Sequence, residues 1–479
     1  MSLAVRIVSG AYRDSVALMQ LSAELAALPG IRRASLVMAT PANLALLAEA
    51  GLLERALEAA PNDLVIALEG RGLEAAFEQA MRALGERRER TAPGLTVLPK
   101  SLAQARAAAP QANLALISVP GEYAAAEARK ALRLGLNAML FSDNVALEDE
   151  AALKREAAER GLLLLGPDCG TAIVDGLRLG FANHVRAGPI GCIGASGTGL
   201  QEVTSLVERL GQGVSQAIGV GGRDLHEAVG GLATLAALER LAADRDTRVI
   251  VLISKPPAAS VAERVLAAAA KLRKPVVTCF VGSSKTLEDA AYEAVALARK
   301  RKPAARAFRP GPLPRIAAPR RYVRGLFSGG TFCHEAARLL EAALGPVSSN
   351  ASKSRGHSVI DLGDDVFTHG RPHPMIDPRL RIERIAAEAA DREVAVLLLD
   401  VVLGDGAHPD PAGALAPALK AAAKRRIAVV ASVCGTEADP QVRSQQVKRL
   451  KQAGVRVGES NAQAARLAAA IARRAGGAR

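Results

Sequence analysis

GCIGASGTGLQE (residues 191–202) and GLFSGGTFCHE (residues 325–335) carry one pattern twice. In each, a short apolar run ends in small residues, a Gly-Thr pair follows, and a Glu stands four residues after the Thr. Gly197, Thr198 and Glu202 thus match Gly330, Thr331 and Glu335 in spacing. The pattern reads as strand, tight turn, helix. Glycine lets the chain turn and lets backbone approach a ligand closely, and the Thr can cap the helix. The unclaimed N–H groups and positive dipole end of such a helix suit a phosphate or a carboxylate. A single turn of this kind is common in α/β proteins. Two copies, each followed by similar downstream elements, indicate a duplicated anion-binding domain.

The downstream elements are QAIGVGGRDL (216–225), VIVLISKPP (249–257) and KPVVTCFVG (274–282) after the first turn. After the second they are SVIDLGDDVF (358–367), VAVLLLDVVLG (394–404) and RIAVVASVCG (426–435). Each time a Gly-rich acidic turn is followed by two apolar strands ending in polar loops. Strands alternating with helices imply a parallel sheet covered on both faces. Ligands of such sheets sit beyond the carboxyl ends of the strands, where these loops lie.

The 479 residues exceed what one core supports and imply several domains. Hydrophobic content of 49% with 3% aromatics suits Ala/Leu/Val-rich helices packed on sheets. The net charge of +14 is concentrated: residues 299–321 hold nine Lys/Arg, five Pro and no acidic residue, leaving about +5 for the rest. That stretch reads as a semi-extended basic linker. No basic stripe interleaved with aromatics accompanies it, so nucleic acid is not the expected partner. The five cysteines (169, 192, 279, 333, 434) lack CxxC or metal-type spacing and read as reduced thiols of a cytoplasmic protein. The N-terminus reads as a strand rather than a signal peptide, and no apolar run is long enough to span a membrane.

Five segments are expected. Residues 1–90 form a small α/β domain and 91–185 a second α/β unit, with strands at 114–120, 137–142 and 161–168. The two repeats occupy 186–298 and 322–479, joined by the linker 299–321.

The anion-binding candidates are Ser196, Gly197 and Thr198 on the first turn and Ser328, Gly329, Gly330 and Thr331 on the second. The plainer reading is that they only cap helices. Gly221, Gly222, Arg223 and Asp224 form the next loop, where Arg223 could clamp an oxyanion and Asp224 orient it, against a surface ion pair. The segment from Asp361 to Asp377 gathers Asp361, Asp364, Asp365, His369, Arg371, His373 and Asp377. Its irregular spacing argues against a metal site, and no metal is expected. Substrate binding by Asp364, Asp365 and Arg371, with His373 among the catalytic candidates, is the preferred reading. Asp400, Asp405 and His408 close the next strand. His408 beside Asp405 would make an acid–base pair able to protonate a departing amide nitrogen, where the alternative is a hydrogen-bonded loop histidine. His226 reads as a capping-region residue. Cys169 and Cys434 would be nucleophiles only if their thiol pKa were lowered, and burial is the plainer fate.

Longer strings carry a resemblance. VPGEYAAAEARKALRLGLNAMLFSDNV, LGPDCGT, GASGTGLQEV and GVGGRDL together resemble the succinyl-CoA synthetase superfamily of NDP-forming acyl-CoA ligases. SGGT, DLGDDVFTHGRPHPMIDP and LLDVVLGDGAHPDP are similar to its FdrA family in particular, and the match covers nearly the whole chain. The resemblance implies a Rossmann-like CoA-binding domain plus two flavodoxin-like succinyl-CoA synthetase-type domains. It implies CoA as cofactor, with Pro120, Asp168, Cys169 and Gly170 lining its site, and phosphate at the two Gly-Thr helices. The chain departs from the ligases in two places. SSKTLEDAAYE follows KPVVTCFVG where they carry a histidine loop, and Ser254 and Lys255 stand where they carry an acidic residue. No ATP-grasp segment is recognisable either. Relatives of the FdrA type are implicated, with partner subunits, in a carbamoyltransferase of allantoin breakdown. That enzyme converts oxalurate and phosphate into oxamate and carbamoyl phosphate, a reaction needing neither ATP nor phosphohistidine. The expected partners are therefore phosphate, oxalurate or another carboxylate, and other subunits of a hetero-oligomer. Two alternatives stay open: an NDP-forming ligase completed by a separate ATP-grasp subunit, and a non-catalytic CoA-binding scaffold.

Overall fold

The computed structural model describes residues 2–13, 15–55, 57–86, 99–282, 285–304, 307–350, 355–368 and 372–476. Its chain forms two compact units, one of residues 1–110 with 363–377, the other of 111–362 with 378–479.

In the first unit β1 (Ser2–Val8), α1 (Ser15–Ala26), β2 (Ile31–Met38), α2 (Pro41–Glu49), β3 (Leu64–Gly70), α3 (Leu73–Glu86) and α4 (Leu102–Ala108) follow in order. The sheet runs β1-β3-β2 with both pairings antiparallel. Alternation along β3 explains its central place. Leu64, Ile66 and Leu68 join a core with α1 and α3, while Val65 and Ala67 join a smaller one with Leu47 of α2. Thr40 caps α2 by accepting from the Asn43 N–H, and Pro41 supplies the first helical residue. The sequence places 363–377 inside the second repeat; in the structure this segment groups with residues 1–110.

The second unit opens with β4 (Leu114–Ile117), α5 (Gly121–Arg133), β5 (Asn137–Leu140), α6 (Leu147–Glu159) and β6 (Leu164–Leu165) in a parallel three-stranded sheet. A hairpin of β7 (Thr171–Val174) and β8 (Leu177–Gly180) then enters the next sheet. The first repeat comprises β9 (Ala187–Ala195), α7 (Gly197–Arg209), β10 (Val214–Gly219), α8 (Leu232–Ala243), β11 (Val249–Ser254), α9 (Ala259–Ala270), β12 (Val276–Phe280) and α10 (Leu287–Ala298). The second comprises β13 (Tyr322–Phe327), α11 (Gly330–Leu344), β14 (Val347–Ser349) and β15 (His357–Asp361). After the one-turn α12 (Asp365–Thr368) of the other unit come α13 (Arg379–Ala390), β16 (Val394–Val402), α14 (Pro411–Lys424), β17 (Ala428–Cys434), α15 (Arg443–Gln452), β18 (Arg456–Gly458) and α16 (Asn461–Gly476).

The duplication is visible in strand order. One sheet contains β10-β9-β11-β12 and the other β15-β13-β16-β17, so β13 lies between β15 and β16 as β9 lies between β10 and β11, with the short β14 added outside β15. These pairings are parallel throughout. Every residue of β16 and β17 is buried, which accounts for their unbroken apolar runs. The fold class is the multidomain α/β architecture expected from the sequence. No helix among the described residues is long and apolar enough to cross a membrane.

Candidate functional site

The two Gly-Thr helices meet end to end. Ser196 caps α7 by accepting from the Gly199 N–H at 2.9 Å, and its Oγ lies 2.5 Å from Thr331 Oγ1 on α11. Gly329 makes this approach feasible: a Cβ there would come within 2.7 Å of Thr198 Cγ2 and 3.0 Å of Thr198 Oγ1. Both hydroxyls are thereby spent on capping and on each other. The N–H groups of Gly197, Thr198, Gly330 and Thr331 have no hydrogen-bond partner among the described residues. Two helix dipoles thus point their positive ends at one place.

Ser328 and Gly329 do not serve a ligand. Their N–H groups donate to the Asp400 carboxylate at 2.9–3.1 Å, and Ser328 Oγ donates to it at 3.0 Å. Asp400 is fully buried, with the Arg381 guanidinium 3.0 Å away. An internal anion therefore fills the nest before α11 and fixes the turn. Around the helix start stand two further charges. A Cβ on Gly330 would collide with the Asp361 carboxylate and lie 3.7 Å from Lys255 Nζ. The same ammonium, after burial, helps depress the pKa of His334 one turn along α11, with Arg338 adding to it. The mouth therefore presents N–H donors and a cation beside a carboxylate. Lys255 is on the exposed surface, where a solute can reach it.

Other candidates are committed elsewhere. Asp224 is fully buried: it accepts from Lys154 Nζ at 2.9 Å, from the Ala233 and Thr234 N–H groups at the start of α8, and from Thr234 Oγ1 at 2.6 Å. Arg223 donates to Val145 O at 2.7 Å and pairs with buried Glu150 at 2.8 Å. This charge network joins α6 to the first repeat, so neither residue clamps an oxyanion. Gly221 packs so tightly on the Gly166-Pro167 backbone that a Cβ would collide with it, while Gly222 lies against Asp168. Burial pushes the Cys169 thiol up to about 12 and the Cys434 thiol well above its ordinary value, so neither is a nucleophile at neutral pH. His226 is exposed in the turns before α8 rather than at the helix start.

The expected His408–Asp405 pair does not form. His408 Nδ1 accepts from the Asp410 N–H at 3.0 Å. Asp405 instead holds His184 Nε2 at 2.8 Å and Arg178 Nε at 3.2 Å. Sequence reasoning missed His184; the only local signal is the polar Asn-His pair just ahead of β9. Asp364, Asp365 and His373 belong to the other unit, where the His373 ring accepts from the Met375 N–H at 3.2 Å. Arg371 and His369 lie outside the described residues.

Known families match three stretches of the chain. Residues 326–471 match the family described as CoA-ligase, 185–282 the CoA binding domain, and 1–96 the "AllF, heavy metal-associated domain". The uncharacterized protein YahF of Escherichia coli K12 is 42% identical, over 96% of this chain and 97% of its own. The chain belongs to the FdrA family of the succinyl-CoA synthetase superfamily. A mitochondrial succinate–CoA ligase [ADP-forming] subunit alpha-2 of Trichomonas vaginalis is 30% identical over 36% of this FdrA-type chain and 57% of its own. A dinucleotide-forming acetyl-coenzyme A synthetase 1 of Ca. Korarchaeum cryptofilum aligns over 80% of this chain and 88% of its own at 18% identity. The TM-score of that alignment is 0.33.

Two implied groups can be tested against the residues. The FdrA-type chain has neither Cys nor His in residues 1–96, so the thiolate and imidazole ligands that soft metals need are absent from the segment with the heavy-metal name. For CoA, the CoA-binding match falls on 185–282, whereas the sequence reading places that domain at 91–185. The α7 turn inside the match offers unclaimed N–H groups at Gly197 and Thr198, which suit a diphosphate. Of the other CoA candidates, Cys169 is sealed in the core and Asp168 presents an exposed carboxylate that phosphate would avoid. Pro120 and Gly170 are partly exposed.

Proposed function

We propose that this chain is one subunit of an enzyme that transfers an acyl or carbamoyl group to phosphate. The reaction we assign is phosphorolysis of oxalurate to oxamate and carbamoyl phosphate, in the breakdown of allantoin nitrogen. The observation that carries this is the convergence of the α7 and α11 N-termini, with four unclaimed N–H groups and the Lys255 ammonium beside them. Such an array stabilises phosphate and the oxyanion that develops as it attacks a carbonyl. Asp361 at the same mouth supplies an acceptor, which suits a ureido substrate bearing N–H groups better than phosphate alone. Lys255 stands where the ligases carry an acidic residue, and no histidine follows β12 in residues 283–298. Direct attack by phosphate needs neither.

When bound, CoA would supply a thiol as acyl acceptor, and the CoA-binding and CoA-ligase matches favour a second reading as an acyl-CoA ligase completed by an ATP-grasp subunit. The test is phosphorus NMR on the native complex, purified through a tag on this chain, with phosphate and oxalurate added. A carbamoyl phosphate signal that Lys255→Met reduces at least tenfold is the expected result. No signal there, but ADP from ATP, CoA and a carboxylate, would replace the transferase with the ligase.

A further inference from the structure

We infer that His184, oriented by Asp405, is the proton-transfer residue of this site. The inference deepens the transferase reading and rests on it for the identity of the proton's acceptor. The geometry itself is independent of that reading. Both oxygens of Asp405 are engaged, one by His184 Nε2 at 2.8 Å and one by Arg178 Nε at 3.2 Å. The carboxylate therefore orients the ring rather than acting as a base. With Nε2 as the donor toward Asp405, the lone pair lies on Nδ1, which has no hydrogen-bond partner among the described residues. The side chain is 25% exposed, so solvent and solutes reach the ring. This is the base-plus-orienter arrangement that general acid–base chemistry requires.

The backbone of His184 is clamped on both sides. Its N–H donates to Asp439 Oδ1 at 2.7 Å, and its carbonyl accepts from Thr436 Oγ1 at 2.7 Å. Asn183 next to it donates to Leu403 O and to Asp439 Oδ2, each at 2.9 Å. The loop 181–184 is thereby pinned beyond the carboxyl ends of β16 and β17, the edge where ligands of parallel sheets bind. It is pinned to the phosphate end as well. Gln201, one turn into α7 from Thr198, donates from Nε2 to both Phe181 O and Leu403 O. The charged groups facing the ring are Asp405, Arg178 and Asp439.

In the assigned reaction a phosphate oxygen bonds to the carbamoyl carbon. The C–N bond breaks with its electron pair staying on nitrogen. The proton that dihydrogen phosphate releases on attack passes to Nδ1 of His184 and from there to the departing nitrogen. The ring is neutral before and after, and no other reactant is consumed.

Two measurements test this separately from the reaction assignment. Nitrogen-15 NMR of histidine-labelled full chain should report the Nε2–H tautomer for His184, with the share of that tautomer falling in Asp405→Asn. An Nδ1–H tautomer, or no response to Asp405→Asn, would overturn the dyad whatever the substrate. In the native complex, His184→Gln should lower kcat for carbamoyl phosphate formation about 100-fold or more, with the KM for phosphate within threefold and the unfolding temperature within a few degrees. Asp405→Asn should also lower kcat while leaving the KM for phosphate within threefold. A His184→Gln rate within threefold of the parent, or a loss tracking only lost stability, would leave His184 a clasp between the repeats and overturn the role. If the parent complex shows no turnover of oxalurate, the transferase reading fails while the tautomer result still decides the dyad.

Discussion

Glu335 shows how much a single buried carboxylate is asked to bear. Its Oε1 accepts from the Leu287 N–H at 2.8 Å and its Oε2 from Asn461 Nδ2 at 2.8 Å. Burial nevertheless outweighs these bonds and raises its pKa to about 7, with the Glu202 carboxylate adding to the effect. A carboxyl whose folded pKa lies above its unfolded value of 4.5 binds protons on folding, so its ionisation destabilises the fold as pH rises from about 4.5 through 7. The penalty above that window is of order 3 kcal/mol at most. Glu335→Gln removes it, and Asn461 Oδ1, a buried acceptor without a partner among the described residues, offers an acceptor beside the new amide. The variant is expected to gain stability over the parent at pH 8 and to lose the advantage by pH 5 in urea unfolding. A variant less stable at pH 8 would mean the two accepted bonds outweigh the burial. Asp400 illustrates the opposite case, a buried charge fully matched by Ser328, Gly329 and Arg381. Asp400→Ala leaves the Arg381 cation unpaired and the Ser328 and Gly329 N–H groups without their acceptor and should cost roughly 3–5 kcal/mol, while adding Arg381→Met should recover only the part due to the cation. Denaturant midpoints of the single and double variants check both values.

At the scale of elements, the site is the junction of α7 and α11, and Gly329 sets how closely they approach. Gly329→Ala pushes a methyl into Thr198 and into Phe332 Cδ2 at 3.0 Å, so the helix ends must part. Phosphate affinity of the complex is expected to fall tenfold or more by calorimetric titration, and Thr198→Ser, which removes the obstructing Cγ2, should restore part of it. Unchanged affinity would show that phosphate does not bridge the two ends. These elements were legible in the sequence because they rest on local rules: Gly-Thr turns after apolar runs, continuous apolar strands, a repeated order. What was not legible depends on pairing across the fold. Ser196 and Thr331 are 135 residues apart, and His184 and Asp405 are 221 apart. His408 stood nearer to Asp405 in sequence, yet its ring turns back onto the Asp410 N–H in the cap of α14. Arg223 and Asp224 looked like ligand groups for the same reason. Nothing local reveals that Lys154, 70 residues before Asp224, is buried against it.

For the whole chain, the two repeats are tied by caps that cross from one to the other. Glu202 of α7 accepts from the Asn461 N–H at 2.9 Å, at the start of α16, while Glu335 of α11 accepts from the first residue of α10. Each repeat thus terminates a helix of its neighbour, and Asn461 Nδ2 links the Glu335 carboxylate to Phe332 O. Across the interface α7 meets α11 and α10 meets α16, while α7 packs on α10 and α11 on α16 within their own repeats, so the interface is a four-helix cluster rather than a linker-held contact. The linker itself is mostly exposed among its described residues and makes surface bonds, from Arg456 to Pro312 O and from Arg474 to Leu313 O. Cutting it should therefore not separate the halves. A specific protease site placed at Gly311, where an added methyl would meet no neighbour within 4 Å, allows the experiment. After cleavage, the fragments are expected to co-elute on size exclusion and to part only in denaturant, in step with unfolding. The raised pKa values of Glu202 and Glu335 add a sign: association takes up protons, so the cut complex should hold together more tightly at pH 6 than at pH 8. Fragments that separate in plain buffer, or that bind more weakly at pH 6, would show that the covalent linker and not the crossed caps keeps the repeats together.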